Sequence, residues 1–273
     1  MNEGVSPPST ARASNLATPI ITLLTDFGTQ DSYVGAMKGV LASIAPRASV
    51  VDLTHGVAPQ AITEGAFQLA AAYRFFPPGT VHVAVVDPGV GSRRAIVGVA
   101  VDGFHFVAPD NGVLGGVLRG RQPEFAVRIE NPAYQLADVS KTFHGRDVLA
   151  PVAAHLANGV SLAELGPECA VRTAAPWPAA TAAADGWQGT VLFSDHYGNC
   201  VTSLPATAAA VASTVVIDGM DALPLRDHYA QVEVGQALAL VGSSGYLEIA
   251  VRDGNANQQL ALAPGATVRL LSE

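Results

Sequence analysis

The chain carries, at residues 80–94, the run Thr80-Val81-His82-Val83-Ala84-Val85-Val86-Asp87-Pro88-Gly89-Val90-Gly91-Ser92-Arg93-Arg94. Its first half is rich in β-branched residues and predicts a buried strand over residues 80–86. The second half changes abruptly to an acid, a proline and two glycines, which is typical of a tight turn. Ligands bind at the carboxyl ends of strands in α/β proteins, so Asp87 and Arg94 are a candidate reactive pair. The alternative is a plain turn closed by a surface ion pair.

The segments around this run alternate between strand-like and helix-like patterns. Strands are expected at residues 20–24 and 49–53, and helices at residues 31–45 and 63–76. With the strand at residues 80–86, the order β-α-β-α-β predicts a largely parallel sheet with right-handed crossovers.

Further elements follow in the same half of the chain. Two strands at residues 95–101 and 104–107 flank Asp102-Gly103, a dipeptide that favours a tight hairpin. A helix is expected from about residue 147 to 157, with Asp147 as its N-terminal cap.

The pattern changes after residue 165 to short strands, which are expected at residues 189–193, 214–217, 237–241, 246–251 and 267–271. This spacing is typical of a small sandwich or barrel. We therefore predict an α/β N-terminal domain with a mostly parallel central sheet and a smaller all-β, barrel-like C-terminal domain. The expected bounds are a disordered tail at 1–18, the α/β domain at 19–173, a linker at 174–186 and the barrel-like domain at 187–273.

Composition narrows the classes of partner. The chain has 273 residues and a net charge of -8, with no cluster of Lys and Arg, so nucleic acid is not expected to bind. No apolar run approaches the ~20 residues of a membrane span, and the first residues lack the apolar core of a signal peptide. Cys169 and Cys200 show no zinc-binding spacing, and two cysteines are too few for a disulfide framework. A cytoplasmic location is expected.

Several strands and loops end in polar residues that could carry chemistry: Asp26, Asp52, His55, Asp87, Asp110, Asn111, His144 and Asp147. Each could equally be a turn or cap residue. Asp26 and Asp87 are the stronger candidates, because a glycine-containing turn exposes each at a strand end. A metal site is a further interpretation, but the histidines lack HxH and HExxH spacing. The loop at Asp87 matches neither a Walker motif nor a dinucleotide fingerprint.

Eight short motifs occur in order along the chain: Thr25-Asp26-Phe27-Gly28, Tyr33-Val34-Gly35-Ala36-Met37-Lys38-Gly39, Val51-Asp52-Leu53-Thr54-His55, Val85-Val86-Asp87-Pro88-Gly89-Val90-Gly91, Ala108-Pro109-Asp110-Asn111-Gly112, Thr142-Phe143-His144-Gly145-Arg146-Asp147, Tyr197-Gly198-Asn199 and Ser243-Ser244-Gly245. Together they resemble the S-adenosylmethionine (SAM) hydroxide adenosyltransferases, or SAM hydrolases, which are relatives of the SAM-dependent fluorinase and chlorinase.

The resemblance implies a homotrimer whose sites lie between the N-terminal domain of one subunit and the C-terminal domain of a neighbour. It also implies hydrolysis of SAM to adenosine and L-methionine by attack of water or hydroxide on C5′ of the ribose. The sulfonium is a good leaving group, so neither a metal nor another cofactor is expected.

The same resemblance assigns roles to single residues. Asp87, Arg94 and His144 match the set that activates water, with Arg94 stabilising hydroxide and the other two orienting it and handling the proton. Asp26 would accept hydrogen bonds from the ribose hydroxyls. The implied contacts to the rest of the substrate are Asp195, Asn199, Ser243 and the backbone at Ser244 for the methionine end, and Tyr197 for the adenine. Barrel core is the alternative for Tyr197, and a structural ion pair with Arg94 is the alternative for Asp87.

Three rival functions remain open on the sequence. The first is a SAM-dependent halogenase. The halogenases resemble one another in having Tyr-Pro-x-Thr where this chain has Asp87-Pro88-Gly89-Val90, and they lack the equivalent of His144. A SAM- or nucleoside-binding module with little turnover is the second rival. A metal-dependent hydrolase is the third.

Overall fold

A computed structural model of the protein describes residues 18–209, 214–217 and 219–271. The predicted disordered tail at 1–18 therefore lies, except for Thr18, outside the described residues. None of the helices in the described ranges is long and apolar enough to cross a membrane.

The first sheet has six strands: β1 (Ile20–Thr25), β2 (Ser49–Thr54), β3 (Val81–Val85), β4 (Ile96–Val101), β5 (Phe104–Pro109) and β6 (Phe125–Arg128). Their order is β2-β1-β3-β5-β4-β6. The pairs β1/β2, β1/β3 and β3/β5 are parallel, and β4 is antiparallel to both of its neighbours. The mostly parallel α/β prediction is confirmed.

Helices cover both faces of this sheet: α1 (Tyr33–Ile44), α2 (Ile62–Ala72, continued by a 3-10 turn at Tyr73–Phe75), α3 (Gly115–Leu118) and α4 (Ala150–Ala157). Met37 and Leu41 of α1 pack with α4 on one face. Leu69 of α2 and Tyr73 belong to the core on the other face. The inner parallel strands β1, β3 and β5 are thus buried on both faces, which explains their continuous apolar runs.

The second sheet is antiparallel and consists of β7 (Thr181–Ala183), β8 (Gly186–Ser194), β9 (Cys200–Pro205), β10 (Thr214–Ile217), β11 (Leu223–Pro224), β12 (Ala237–Val241), β13 (Tyr246–Val251) and β14 (Thr267–Leu271). Two short helices, α5 (Ala206–Ala209) and α6 (Ala256–Gln259), interrupt it. The path β11-β10-β14-β8-β9-β13-β12 almost closes on itself, because Leu225 bridges to Ala239 of β12. The barrel-like prediction for this half of the chain is confirmed.

The structure differs from the sequence prediction at Asp147 and in four strands. Asp147 is not an N-terminal cap: the chain forms a π-helical turn at Gly145–Leu149 before α4, which places Asp147 inside the turn and completely buried. Its Oδ2 accepts a hydrogen bond of 2.8 Å from Ser140 N, and Arg146 pairs with it. Strands β6, β9 and β11 were not predicted. Within the predicted linker, residues Thr181–Ala183 form β7 and pair with β8.

Aromatic side chains join the two sheets. Phe67 of α2 packs against Trp177, Phe193 of β8 and Tyr246 of β13, with ring centroids 5.0–5.8 Å apart. Arg119 adds a hydrogen bond of 3.1 Å from its Nη1 to the Tyr246 hydroxyl. These contacts therefore connect the α/β half of the chain to the barrel-like half.

His82 of β3 should make folding sensitive to acid. It is completely buried, its Nδ1 lies 2.7 Å from Thr22 Oγ1, and burial lowers its pKa to about 4. Because an unfolded histidine titrates near 6.5, the unfolded chain binds the extra proton first as the pH falls. The stability contributed by neutral His82 is complete above pH 6.5 and is lost towards pH 4.

We expect this one group to remove about 2–3 kcal/mol of unfolding free energy between pH 7 and pH 4.5. Urea denaturation of the wild type and of the double variant Thr22→Val/His82→Leu at both pH values measures this. The variant should lose less stability than the wild type over the interval. Equal losses in the two proteins would contradict the assignment.

Candidate active site

A cleft of about 400 Å³ opens at the carboxyl ends of β1 and β3. Its walls carry residues that follow β1 (Asp26 and Phe27), β2 (Pro59 and Gln60) and β3 (Asp87, Pro88 and Val90), together with Tyr33, Val85, Thr142, Phe143, His144 and Gly145. This is the edge of a parallel sheet at which ligands usually bind.

The turn after β3 packs tightly against the loop before the π-helical turn. Gly91 has a φ of +78°, and a Cβ built on it would lie 2.5 Å from the carbonyl oxygen of Lys141. Only glycine permits both the left-handed backbone and this close approach. The contact brings Arg94 next to His144, which lies fifty residues further along the chain.

Asp87, Arg94 and His144 form one hydrogen-bonded group. Arg94 Nε donates to Oδ1 and Oδ2 of Asp87 at 2.9 and 2.8 Å, and Arg94 Nη2 makes a further short bond to Oδ2. Nη2 also lies 2.8 Å from Nδ1 of His144. The side chains of Asp87 and Arg94 are only 5% and 11% exposed, so the pair is not a surface ion pair.

The Arg94 guanidinium fixes the protonation of His144. Since arginine can only donate, Nδ1 of His144 must accept, and we assign the imidazole proton to Nε2. Partial burial and the Arg94 charge lower the pKa of His144, against smaller opposing effects of Asp87 and Asp147. His144 is therefore neutral at pH 7.

Asp26 lies in the same cleft, directly after β1. Its Oδ2 accepts a hydrogen bond of 2.8 Å from the backbone N–H of Gln60, a residue with a φ of +67°. Within the described part of the chain, no protein donor reaches Oδ1 of Asp26. The carboxylate is thus anchored by one oxygen and open to a ligand.

Sequence reasoning missed the aromatic wall of the cleft. The rings of Phe27, Tyr33 and Phe143 contact one another with centroids 5.2–5.7 Å apart. All three lie within the motifs quoted above, and the available signal was that Phe27 follows Asp26 and Phe143 precedes His144. Gln60 carried no signal, because its role depends on its backbone conformation.

The predicted contacts from the C-terminal half line two other cavities of this chain. Tyr197 and Asn199 border one of about 610 Å³ with Tyr229. Tyr197 is 75% exposed, so the alternative that placed it in the barrel core is wrong. Asp195, Ser243 and Ser244 border another of about 240 Å³ with Phe75 and Glu248.

Asp195 also shapes its own loop. Its Oδ1 accepts from the backbone N–H groups of Tyr197 and Asn199 at 2.9 and 2.8 Å, and Oδ2 accepts from Asn199 Nδ2 at 3.0 Å. Burial, and then the charge of Asp195, raises the pKa of Glu248. Sequence reasoning did not identify Glu248. Neither cavity includes Asp26, Asp87 or His144.

Among the described residues, no three His, Cys, Asp or Glu side chains lie close enough together to hold a metal ion.

Comparison with known proteins places this geometry in a family. Two family models match the chain: the SAM hydroxide adenosyltransferase N-terminal domain over residues 21–166, and the C-terminal domain over residues 189–269. A protein of Thermus thermophilus named (R)-S-adenosyl-L-methionine hydrolase is 41% identical over 92% of this chain and 99% of its own length. A protein of the same name from Salinispora arenicola is 40% identical over 93% and 98%.

More distant relatives also align with most of the chain. A fluorinase of Actinopolyspora mzabensis is 30% identical over 92% of this chain and 97% of its own. The crystal structure of an uncharacterized conserved protein from Thermotoga maritima superimposes with a TM-score of 0.85 and 33% identity, covering 92% of this chain and 99% of that one. The two family models match both halves of the chain, and the protein belongs to the SAM hydroxide adenosyltransferase family.

Proposed function

We propose that the protein hydrolyses S-adenosyl-L-methionine to adenosine and L-methionine. The observation that carries this proposal is the joining of Asp87 and His144 through Arg94 in the cleft that also holds Asp26. The names of the Thermus and Salinispora relatives support the same reaction.

The chemistry requires an activated water and a positioned substrate. An oxygen of water attacks C5′ of the ribose in line with the C5′–S bond, and the electrons of that bond leave with sulfur. Methionine departs as a neutral thioether, so no acid has to protonate the leaving group. Fixed geometry can contribute about 7–11 kcal/mol to such a step, and a positioned base about 10²–10⁴-fold in rate.

Arg94 would stabilise the developing hydroxide, and the hydrogen bonds favour Asp87 as the acceptor of the water proton. His144 is a poor acceptor in this arrangement, because Nδ1 is occupied by Arg94 and Nε2 carries a proton. Its Nε2–H would instead donate to the attacking oxygen. Asp26 would accept from the ribose hydroxyls through its open oxygen.

A metal or other cofactor has no evident task here, because the sulfonium already supplies the positive charge that a Lewis acid would add to a leaving group. We therefore propose that the reaction proceeds with SAM and water alone.

We propose further that the protein is a homotrimer in which each site is shared by two subunits. The support is that Asp26 and Asp87 line a different cavity from Asp195, Ser243 and Tyr197 within one chain. A neighbouring copy would supply the methionine and adenine contacts. Free Cys169 and Cys200 fit a cytoplasmic location. Neither nucleic acid nor a membrane is proposed as a partner.

The first test is product analysis by chromatography after incubation with SAM, with and without EDTA, fluoride or chloride. Wild-type protein should release adenosine and methionine in equal amounts under every condition. Asp87→Asn, which keeps the size but removes the charge, should be about 10²–10⁴-fold slower. A 5′-halo-adenosine would show that the Asp87 loop serves a halide, loss of activity in EDTA would establish a metal requirement, and bound nucleoside without product would indicate a binding module.

The pH dependence of kcat/KM should report His144. Protonation places a second cation beside Arg94 and removes the acceptor at Nδ1, so activity should fall on the acid side with an inflection below pH 6.5. His144→Asn retains an acceptor for Arg94 but does not titrate, so its lower activity should lack this acid limb. An unchanged limb in the variant would contradict the assignment.

Mixing two defective variants tests the shared site. Asp87→Asn disables the first cleft, and Ser243→Trp fills the cavity beside Asp195. In co-expressed mixed trimers, random assembly leaves about a quarter of the sites with both halves intact. Activity should recover to about that fraction of the wild type, whereas a site built within one chain would show no recovery.

A further inference from the structure

We propose that His55 is a positioning residue for Asp26, holding the turn after β1 so that the open carboxylate oxygen meets the ribose hydroxyls. This inference rests on the proposed function. It concerns a chain of hydrogen bonds behind the cleft, in which His55 itself does not touch the substrate.

The turn that carries Asp26 is tied to His55 on both sides. Nδ1 of His55 lies 2.9 Å from Oγ1 of Thr25, the residue before Asp26. The backbone N–H of Phe27 donates to the same Oγ1 at 3.2 Å, and the N–H of Gly28 donates to the carbonyl oxygen of His55 at 2.8 Å. Thr25 is completely buried and His55 is 7% exposed, so water does not compete for these bonds.

Asp52 and Lys38 determine which groups donate and which accept in this chain of hydrogen bonds. Nε2 of His55 lies 3.0 Å from Oδ1 of Asp52, a close electrostatic contact without the alignment of a full hydrogen bond. Lys38 Nζ donates to the other oxygen at 2.6 Å. Although partial burial alone would raise the pKa of Asp52, the hydrogen bond from Lys38 and the close contact with His55 lower it.

The direction follows from these partners. A carboxylate cannot donate, so the proton of the imidazole belongs on Nε2, facing Asp52, and Nδ1 accepts from the Thr25 hydroxyl. The lone pairs of Oγ1 are then free for Phe27 N–H. Each of these hydrogen-bonding groups can thus act in only one way, as donor or as acceptor, and this fixes the backbone torsion angles around Asp26.

The same loop also holds Asp26 directly. Gln60, five residues after His55, donates its N–H to Oδ2 of Asp26. A shift of the loop would therefore move both supports of the carboxylate together. His82 offers an internal comparison. Its Nδ1 makes the same kind of hydrogen bond with a threonine of β1, Thr22, but neither residue lines the cleft.

The test measures binding of adenosine and of 2′,3′-dideoxyadenosine by calorimetry, with KM and kcat for SAM alongside. His55→Leu should weaken adenosine binding roughly tenfold, because the displaced Asp26 would lose about one hydrogen bond from the ribose, and a hydrogen bond to a charged group contributes about that much. Dideoxyadenosine binding should not change, and KM should rise more than kcat falls. His55→Asn, whose amide oxygen can replace Nδ1, should recover part of the loss.

A cycle with Asp26→Ala separates positioning from general destabilisation. If His55 acts through Asp26, His55→Leu should have no further effect on adenosine binding in the Asp26→Ala background. His82→Leu is the matched control and should not discriminate between the two nucleosides. Should His55→Leu fail to fold, Asp52→Asn, at a half-exposed site, should show a smaller loss with the same selectivity.

Equal weakening of both nucleosides, or additive effects in the cycle, would overturn the role of His55. The nucleoside comparison needs no turnover, so it stands apart from the proposed reaction. Wild-type protein that prefers adenosine to dideoxyadenosine but leaves SAM intact would overturn the proposed function and leave the inference on His55 in place.

Discussion

The hydrogen bonds of the Arg94 guanidinium are the interaction on which the site depends. Placing a charge where it is only 11% exposed is costly unless it is paired, and the carboxylate of Asp87 and the imidazole of His144 both pair with it. One side chain thereby joins the turn after β3 to the loop before α4. Removing any of the three would leave a desolvated charge or an unfilled donor, so the geometry of the cleft and the stability of this region are linked.

This group also sets the charge that a nucleophile meets. Arg94 and Asp87 cancel, and His144 is neutral, so the three residues carry no net charge before the reaction. Under the proposed reaction the substrate brings a sulfonium cation next to them. A nearby positive charge lowers the pKa of a water held at Arg94, so substrate binding itself favours hydroxide. The sulfonium charge thus promotes both the activation of the nucleophile and the departure of the leaving group.

The parts of the fold and site that could be predicted from the sequence are those whose residues lie close together along the chain. Asp87 and Arg94 share one turn, so the strand and glycine pattern predicted their pairing. Their contact with His144 depends on the approach of Gly91 to Lys141, which no local pattern encodes. Strand β9 escaped prediction because it buries Thr202 and Ser203 among its apolar residues and so lacks clear alternation. The capping assignment for Asp147 failed because a π-helical turn precedes α4.

Membership of a family that also includes fluorinases raises the question of what separates water from halide chemistry. The Actinopolyspora relative spans 92% of this chain, so the fold is common to both chemistries and cannot decide between them. The sequence resemblance places the difference at the end of β3, where this chain presents a carboxylate that is 5% exposed. A desolvated halide beside Asp87 would meet like charge at low dielectric, whereas a water molecule there finds both an acceptor for its proton and a cation for its oxygen. Under the proposed reaction the end of β3 would therefore favour water over halide, while Asp26, anchored by Gln60 from the turn that follows β2, would hold the ribose.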